Sequence, residues 1–139
     1  MNPVDRPIRP RRSLLFVPGL RPDMFAKALN AGADIVCIDM EDAVARARKD
    51  EGRALTLPLF ASRSHPHVEQ MVRINGLSTP DGLKDLTAIL ELEAPPPAIM
   101  IPKIKSAEEV QLIETLLSTG PARNIRFCVI IETNQALER

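Results

Sequence analysis

The sequence predicts an α/β protein built on a parallel sheet. Five short aliphatic runs begin near positions 14, 35, 70, 98 and 127, and each except the last is followed by a helix-like stretch. Aromatic residues make up only 3% of the chain, so the core must be aliphatic, which suits parallel strands covered on both faces. This pattern fits either a barrel or a doubly wound open sheet. A dinucleotide-binding sheet is disfavoured because no G-x-G-x-x-G motif follows the first run.

The strands are predicted where β-branched and other aliphatic residues run together and end at a turn signal or a polar residue. They span residues 14–17, 35–39, 70–74, 98–101 and 127–131. Cys37 and Cys128 each lie inside one of these runs. Isolated cysteines in apolar strands are far more often packed thiols than disulfide or metal-site residues, so we expect two free thiols.

The stretches between the strands carry helix start and stop signals. Pro58 is expected to kink or end the second helix early, because proline lacks the N–H that a helix interior uses. Thr79 and the proline after it open the third helix. Ser106 and Glu109 have the spacing of a capping box at the start of the fourth. The helices are predicted over residues 22–31, 49–60, 80–90 and 107–117.

The length and net charge of the chain limit the kinds of partner that it is expected to bind. The chain has 139 residues, about one domain, and its 18 basic residues balance 18 acidic ones. This balance gives no electrostatic reason to expect nucleic acid or an anionic membrane as a partner. No apolar run approaches the roughly 20 residues of a membrane span, and the start has no signal-peptide pattern, so a cytoplasmic protein is predicted. Residues 1–12 are expected to form a flexible, solvated arm.

Charged and polar side chains follow the predicted strands at the point where each strand ends. In a parallel α/β protein these ends share one face, and active sites are built there. Converging carboxylates repel one another unless a cation such as Mg²⁺ is held among them. The sequence therefore predicts a site for an anionic substrate and a hard cation. The residues at the strand ends are Asp39, Glu41, Asp42, Arg73, Asn75, Lys103, Glu132 and Thr133.

Each of these residues also has a structural interpretation. Asp39, Glu41 and Asp42 could cap a helix, which we weigh about evenly with a role in a site. Arg73 could grip a carboxylate with its planar fork, although an arginine at a strand end more often forms a surface ion pair. Lys103 could neutralise a carboxylate or phosphate, or act as a Schiff-base nucleophile if burial lowered its pKa.

Five motifs then occur in a fixed order: RSLLFVPG (12–19), DMEDAV (39–44), VRIN (72–75), PK (102–103) and IET (131–133). Together they closely resemble the citrate lyase beta-subunit-like branch of the HpcH/HpaI aldolase family, over residues 12 to 138. The resemblance implies a (β/α)₈ TIM barrel, of which residues 13–139 would form the first five β/α units. It also implies a Mg²⁺-dependent (or Mn²⁺-dependent) carbon–carbon lyase with a CoA thioester as substrate.

The resemblance implies roles for individual residues. Arg73 would bind the keto-acid carboxylate, and Glu132 would ligate Mg²⁺. Glu41 and Asp42 would line the catalytic centre and hold metal-bound water. Substrate contacts are also expected from Asn75, Arg12 and Lys103. The reaction implied is cleavage of a citryl-CoA-type or malyl-CoA-type 3-hydroxyacyl-CoA into an acyl-CoA and a 2-keto acid.

A second metal carboxylate, which the resemblance places after a sixth strand, would lie beyond residue 139. The chain is therefore predicted to be inactive by itself. Two alternatives stay open: a class II aldolase acting on free 2-keto acids, and a non-catalytic half barrel that serves as a binding or assembly module. A half barrel has open strand edges, so a homo-oligomer is expected.

Overall fold

The sheet contains five parallel strands that lie side by side in chain order. The computed structural model describes residues 9–62 and 64–138. Each strand is hydrogen-bonded to the next one in the sequence, so the order is β1-β2-β3-β4-β5. The strands are β1 (Leu14–Pro18), β2 (Ile35–Asp39), β3 (Glu69–Arg73), β4 (Ala98–Ile101) and β5 (Arg126–Val129). The five predicted strands are confirmed, with ends that shift by one or two residues.

The strand order decides between the two architectures that the sequence leaves open. A doubly wound sheet reverses its strand order at a switch point, whereas a barrel adds each strand beside the previous one. No reversal occurs among the described strands. The arrangement is therefore that of consecutive β/α units of a (β/α)₈ barrel.

Alternate residues of each strand face two different environments. Val36, Ile38, Val72, Ile99 and Ile101 point towards the helices and belong to the main core cluster, in which they are at most 1% exposed. The residues between them point to the other side, which corresponds to the inside of a barrel. That inner face has its own apolar cluster: Ile35, Cys37, Met71, Ala98 and Met100. The two-residue period of a strand produces this division.

Helices follow the strands along the chain. They are α1 (Pro22–Leu29), α2 (Lys49–Thr56), α3 (Pro80–Leu90), α4 (Ala107–Leu116) and the short α5 (Asn134–Leu137). Thr79 caps α3, because its hydroxyl accepts a hydrogen bond from the backbone N–H of Gly82. The α2 helix ends at Thr56 and continues as a 3₁₀ turn that contains Pro58, as predicted from the proline.

The predicted capping box at α4 is wrong in its geometry. The Ser106 side chain makes no capping hydrogen bond. The Glu109 carboxylate does turn back towards the start of the helix, but it accepts from the backbone N–H of Lys105, at 2.9 Å, rather than from that of Ser106. The start of the helix was predicted correctly. Only the hydrogen bonding at that start differs from the prediction. Both cysteines are free thiols, as predicted.

Ion pairs occupy the amino-terminal end of the sheet. Arg11 donates two hydrogen bonds to the buried carboxylate of Glu69, at 2.7 and 2.9 Å, and Arg126 lies 3.3 Å from the same carboxylate. Arg12 pairs with Asp34 at 2.9 Å. These contacts tie residues 11 and 12 of the predicted arm to the sheet, whereas residues 1–8 lie outside the described part of the chain. No described helix is long and apolar enough to cross a membrane.

Candidate active site at the carboxyl ends of the strands

Arg73 and Asp39 form the centre of the carboxyl-terminal rim. They are register partners at the ends of β3 and β2, so parallel pairing places their side chains side by side on the inner face. Nε and Nη2 of Arg73 donate to the two carboxylate oxygens of Asp39, at 2.8 and 2.6 Å. The guanidinium carbon also lies 5.1 Å from the centroid of the Phe16 ring. The carboxylate and the ring together fix the plane of the guanidinium.

The charged state of this pair is stabilised on both sides. Burial raises the pKa of the Asp39 carboxyl, but hydrogen bonds from Arg73 and from the backbone N–H groups of Glu41 and Ala43 outweigh it, so the pKa lies below the usual range. The hydrogen bonds with Asp39 raise the pKa of Arg73 despite partial burial. Asp39 is therefore an ionised support for Arg73, a role that the sequence did not indicate.

Lys103 connects three strands at the same rim. Its ammonium lies 2.6 Å from Oε1 of Glu41 and 3.3 Å from Oδ1 of Asp42, both in the loop after β2. Its backbone N–H donates to Oε1 of Glu132, after β5, at 2.9 Å. The hydrogen bond with Glu41 raises the pKa of Lys103, so the side chain is a cation rather than a neutral nucleophile.

The backbone at Lys103 is strained. Its φ of 52° makes it the one non-glycine residue in the described part of the chain with positive φ. Such a conformation costs a side-chain-bearing residue roughly 1–2 kcal/mol, and strain of this kind concentrates at functional sites. The conformation turns the N–H of Lys103 towards Glu132 while the side chain reaches back to Glu41.

Glu41 carries an incompletely satisfied oxygen. Its residue is 5% exposed, and Oε2 is the one buried side-chain polar atom among the described residues that has no hydrogen-bond partner. Nη1 of Arg73 is the nearby cation, 3.5 Å away. The ammonium of Lys49 holds the loop in place by donating to the backbone oxygens of Met40 and Glu41. A buried, unpartnered carboxylate oxygen is suited to a ligand that brings positive charge.

The rim is rich in carboxylates. Asp39, Glu41, Asp42 and Glu132 lie beside three cations, Arg73, Lys103 and Lys49, so the net charge of these seven side chains is −1. No cluster of three or more metal-ligating side chains occurs within the described residues. Mg²⁺ typically uses only one or two carboxylates and keeps waters or substrate oxygens in its other positions. The residues present therefore fit a partial Mg²⁺ site, with Glu132 as its candidate ligand.

A cavity of about 520 Å³ opens beside this cluster. Its walls come from the loop after β2, the start of α2, the loop after β3 and the residues after β4. Arg46 and Lys105 line it, and neither has an ion-pair partner among the described residues. An anionic ligand would therefore meet two uncompensated cations next to the carboxylate-rich rim. Its lining residues are Glu41, Asp42, Arg46, Lys49, Asn75, Gly76, Ser78, Thr79, Pro80, Asp81, Lys103 and Lys105.

The structure brings most of the residues predicted for the site into one place. Glu41, Asp42, Arg73, Lys103 and Glu132 form a continuous set of ion pairs and hydrogen bonds. Asn75 lines the adjacent cavity. Their roles stay predictions.

Arg12 is the exception among the predicted site residues. It precedes β1 and pairs with Asp34, which precedes β2, so it lies at the opposite end of the sheet. The motif that contains Arg12 does not indicate which end of the sheet the residue occupies. Strand direction does indicate it, because a residue before a parallel strand lies on the rim away from the carboxyl ends.

The structure adds two residues to the site that the sequence analysis did not predict, Asp85 and Arg53. Asp85 is fully buried and contacts Asn75, and Arg53 contacts Asp85. Gly82, Asp85, Leu86 and Ile89 follow the i, i+3, i+4, i+7 spacing of the buried face of α3. A carboxylate on an apolar helical face needs partners, and that requirement could have identified Asp85.

Known proteins resemble this chain over most of its length. A family profile described as HpcH/HpaI aldolase/citrate lyase matches residues 12–139. The L-malyl-CoA/beta-methylmalyl-CoA lyase of Cereibacter sphaeroides is 35% identical over 133 residues, which cover 91% of this chain and 42% of the relative. A (3S)-malyl-CoA thioesterase of the same species is 36% identical over 112 residues, or 81% of this chain and 39% of the relative.

A solved structure shares the fold. Protein CitE of Mycobacterium tuberculosis, in complex with magnesium, acetoacetate and coenzyme A, superposes with a TM-score of 0.67 and 31% sequence identity. The match covers 91% of this chain and 42% of that one. The chain thus spans less than half the length of the relatives it matches. The profile match and the shared sheet of consecutive β/α units agree, and the chain belongs to the HpcH/HpaI aldolase/citrate lyase family.

Proposed function

We propose that this chain supplies the Arg73-centred part of the active site of a Mg²⁺-dependent lyase. The substrate would be a 3-hydroxyacyl-CoA of the malyl-CoA or citryl-CoA type, cleaved into an acyl-CoA and a 2-keto acid. The observation that carries the proposal is the position of a clamped guanidinium, Arg73, 3.5 Å from the buried Oε2 of Glu41, an oxygen that accepts no hydrogen bond from the described residues. A cation that grips a carboxylate and an acceptor that takes a proton are the two groups that this cleavage requires.

Arg73 would bind the substrate carboxylate. Its Nε–Nη2 edge is used by Asp39, and no hydrogen bond among the described residues occupies Nη1. The Nη1–Nη2 edge can therefore form a second two-point interaction with a planar carboxylate. Because Asp39 and Phe16 hold the guanidinium, little side-chain entropy is lost when the substrate binds.

The carboxylate of Glu41 or Asp42 would accept the proton of the substrate hydroxyl. The electron pair of the carbon–carbon bond then moves to the carbon beside the thioester, and the hydroxyl carbon becomes the ketone or aldehyde carbon of the 2-keto acid. The enolate carbon takes up a proton from water, and the carboxyl group releases to solvent the proton that it received. Mg²⁺ held by Glu132 would polarise the oxygens that carry developing charge. Lys103, fixed by Glu41 and by its strained backbone, keeps these carboxylates together before the substrate arrives.

The CoA thioester is favoured over a free keto acid because of the cavity. Arg46 and Lys105 face a space of about 520 Å³, larger than a small keto acid fills, and phosphate groups would neutralise both cations. The relative that acts as a thioesterase shows that this family also includes hydrolysis of the thioester bond. The proposal commits to carbon–carbon cleavage, and the products distinguish the two reactions.

The test is incubation of this polypeptide, and of a longer form that includes further β/α units, with malyl-CoA and citryl-CoA in Mg²⁺ and then in EDTA. Cleavage releases a 2-keto acid, detected as its phenylhydrazone, whereas hydrolysis releases a thiol. We expect Mg²⁺-dependent keto acid from the longer form and none from the 139-residue chain. Turnover by the short chain would overturn its proposed inactivity, and thiol release without keto acid would overturn the lyase assignment.

The metal ligand has a test that needs no turnover. Replacing Glu132 with Gln keeps its shape and its hydrogen bond from the Lys103 N–H but removes the charge that Mg²⁺ needs. Titration of Mn²⁺, followed by its EPR signal, should show affinity lowered about tenfold or more in Glu132→Gln, as expected for loss of a charged ligand. The control is Glu138→Gln, an exposed residue of the same segment. Equal affinities of the two variants would remove Glu132 from the site.

A further inference from the structure

Asp85 is buried at the base of the loop that follows β3. Its relative exposure is 0%, although it belongs to α3, a helix on the protein surface. Oδ1 accepts a hydrogen bond from Nε of Arg53 at 2.7 Å. Oδ2 accepts two more, from the backbone N–H of Asn75 at 2.8 Å and from Nδ2 of the Asn75 side chain at 2.7 Å. All of the interactions of Asp85 are thus directed at one helix, α2, and one site residue, Asn75.

This arrangement fixes the orientation of the Asn75 amide. A carboxylate only accepts hydrogen bonds, so the NH₂ group of Asn75 must face Asp85 and its Oδ1 must face the other way. Asn75 lines the cavity beside the rim and is 4% exposed. Its Oδ1 accepts no hydrogen bond within residues 9–62 and 64–138 and is not fully buried, so it keeps its capacity to accept from a ligand.

The backbone around Asn75 is held as firmly as its side chain. The Thr79 hydroxyl donates to the backbone oxygen of Gly76 at 2.7 Å and accepts from the N–H of Gly82 at 3.1 Å. Gly82 allows α3 to approach so closely that a Cβ there would lie 2.2 Å from the Gly76 oxygen. Gly82 and Asp85 of α3, together with its capping residue Thr79, therefore hold the Asn75-Gly76 segment against the start of the helix.

Arg53 compensates the negative charge of the buried Asp85 carboxylate. Its side chain is 10% exposed and pairs on its outer side with Asp50, at 2.6 Å. A buried carboxylate without a cationic partner destabilises a fold. The ion pair with Arg53 compensates the charge of Asp85 through Oδ1 and leaves Oδ2 to accept both hydrogen bonds from Asn75.

We propose that Asp85 is a positioning residue that presents Oδ1 of Asn75 to the cavity as a fixed hydrogen-bond acceptor. The site then selects a ligand that carries an N–H or O–H donor next to its anionic groups. In the reaction proposed above, that donor is either an amide N–H of the CoA arm or the hydroxyl of the acyl group. The identity of the ligand rests on the proposed function, whereas the orientation of Asn75 does not.

The orientation is tested first, without any ligand. With asparagine labelled at its side-chain ¹⁵N, the Asn75 NH₂ signals are assigned by their loss in Asn75→Ala. We expect these signals to be protected from solvent exchange in the wild-type chain and in Asp50→Asn, the control that contacts Arg53 from outside. In Asp85→Asn the signals should lose protection, because an amide cannot accept on both of its heavy atoms. Protection that persists in Asp85→Asn would overturn the positioning role.

Binding is tested next, with CoA and with malate as separate probes. Loss of the fixed acceptor should weaken binding of the probe that carries the donor about tenfold in Asp85→Asn, the effect of one hydrogen bond of roughly 1.4 kcal/mol. Asp50→Asn should change it less than twofold. Weakening with CoA alone assigns the donor to CoA, and weakening with malate alone assigns it to the acyl group. Unchanged binding of both probes would overturn the selection of a donor.

If Asp85→Asn fails to fold, Asn75→Ala provides a second test. It leaves the Asp85–Arg53 pair and the bond to the backbone N–H of residue 75 in place, and it removes the side-chain amide, that is, the Oδ1 acceptor together with the Nδ2 donor to Asp85. The same tenfold weakening is expected, and wild-type affinity would contradict the inference. If the exchange experiment succeeds while neither probe binds any form of the protein, the proposed function fails and the orientation of Asn75 stands.

Discussion

Arg73 shows how one residue can organise a site. Its guanidinium lies within 4 Å of three carboxylates, those of Asp39, Glu41 and Asp42, but forms hydrogen bonds to only one of them. The short pair with Asp39 fixes its position, and the two longer contacts leave donors for a ligand. The sequence placed Arg73 at a strand end and suggested its ligand, but it could not identify Asp39 as the support, because register across strands is not visible in a local pattern.

Removal of Arg73 should destabilise the protein strongly. Arg73→Ala leaves Asp39, at 3% exposed, as a buried and unpaired carboxylate. Breaking a buried pair in this way costs about 3–5 kcal/mol. Urea unfolding of the variant and of Arg21→Ala, whose pair with Asp23 is exposed on both sides, provides the comparison. We expect a much smaller change for Arg21→Ala, because solvent screens an exposed pair. Similar changes in the two variants would mean that the Asp39–Arg73 pair does not support the rim.

The same pair predicts a dependence of stability on acid. The pKa of Asp39 is lowered in the folded state, so its contribution is complete above its unfolded pKa of about 4 and is lost as pH falls through the lower folded value. The free energy of unfolding, measured in urea between about pH 2 and pH 7, should therefore decrease below about pH 4 in the wild-type chain. The decrease should be smaller in Asp39→Asn. Parallel profiles would show that other carboxylates cause the acid sensitivity.

At the scale of elements, α3 links the core to the site. Its apolar face packs on the sheet through Leu86 and Ile89, while its first turns hold the loop after β3. The existence of the strands and helices was predictable because aliphatic runs, prolines and cap residues are local signals. The predicted cap at Ser106 was wrong because several side-chain acceptors can bond the backbone N–H groups at a helix start. A sequence motif does not specify which of them does so.

Gly82 should be intolerant of the smallest substitution. Alanine normally stabilises a helix interior by about 0.5–1 kcal/mol relative to glycine. At position 82 its Cβ would meet the backbone of Gly76 at 2.2 Å, so Gly82→Ala should instead destabilise the protein by about 1–3 kcal/mol.

Gly52→Ala, in the equivalent turn of α2, is the matched control for Gly82→Ala. Its Cβ would meet only methyl groups of Val44, at 3.2 and 3.3 Å, which can move. Thermal and urea unfolding of both variants would settle the comparison. Equal stabilities would mean that the loop after β3 can withdraw from α3.

At the scale of the whole molecule, the sheet has two free edges and an inner face that is only partly covered. Among the described strands, β1 pairs only with β2 and β5 only with β4. Leu14, Leu15 and Phe16 of β1 are 36%, 39% and 45% exposed. The periodicity of the sequence predicted parallel β/α units but could not reveal their order. The order follows from pairing between residues that are distant in the chain.

The exposed edge of β1 should cause self-association of the 139-residue chain. Exposed, apolar strand edges pair with other strands, and a lysine on the edge prevents this. We expect sedimentation velocity to show a mass that rises with concentration in the wild-type chain and a lower, more constant mass in Leu15→Lys. Leu83→Lys, at an exposed position on α3, should behave as the wild type does. A monomer at all concentrations would argue against association through this edge.

The chain order of the strands also bears on how the protein is made. Every hydrogen-bonded neighbour of a strand is the strand synthesised immediately before or after it, with one crossover between them. When each of β2 to β5 leaves the ribosome, its partner earlier in the chain has therefore already emerged. The rim around Arg73 and Asp39 can form as soon as β3 has emerged, and the pair of Lys103 with Glu41 follows one unit later. The strand order thus allows this part of the candidate site to assemble in the order of translation.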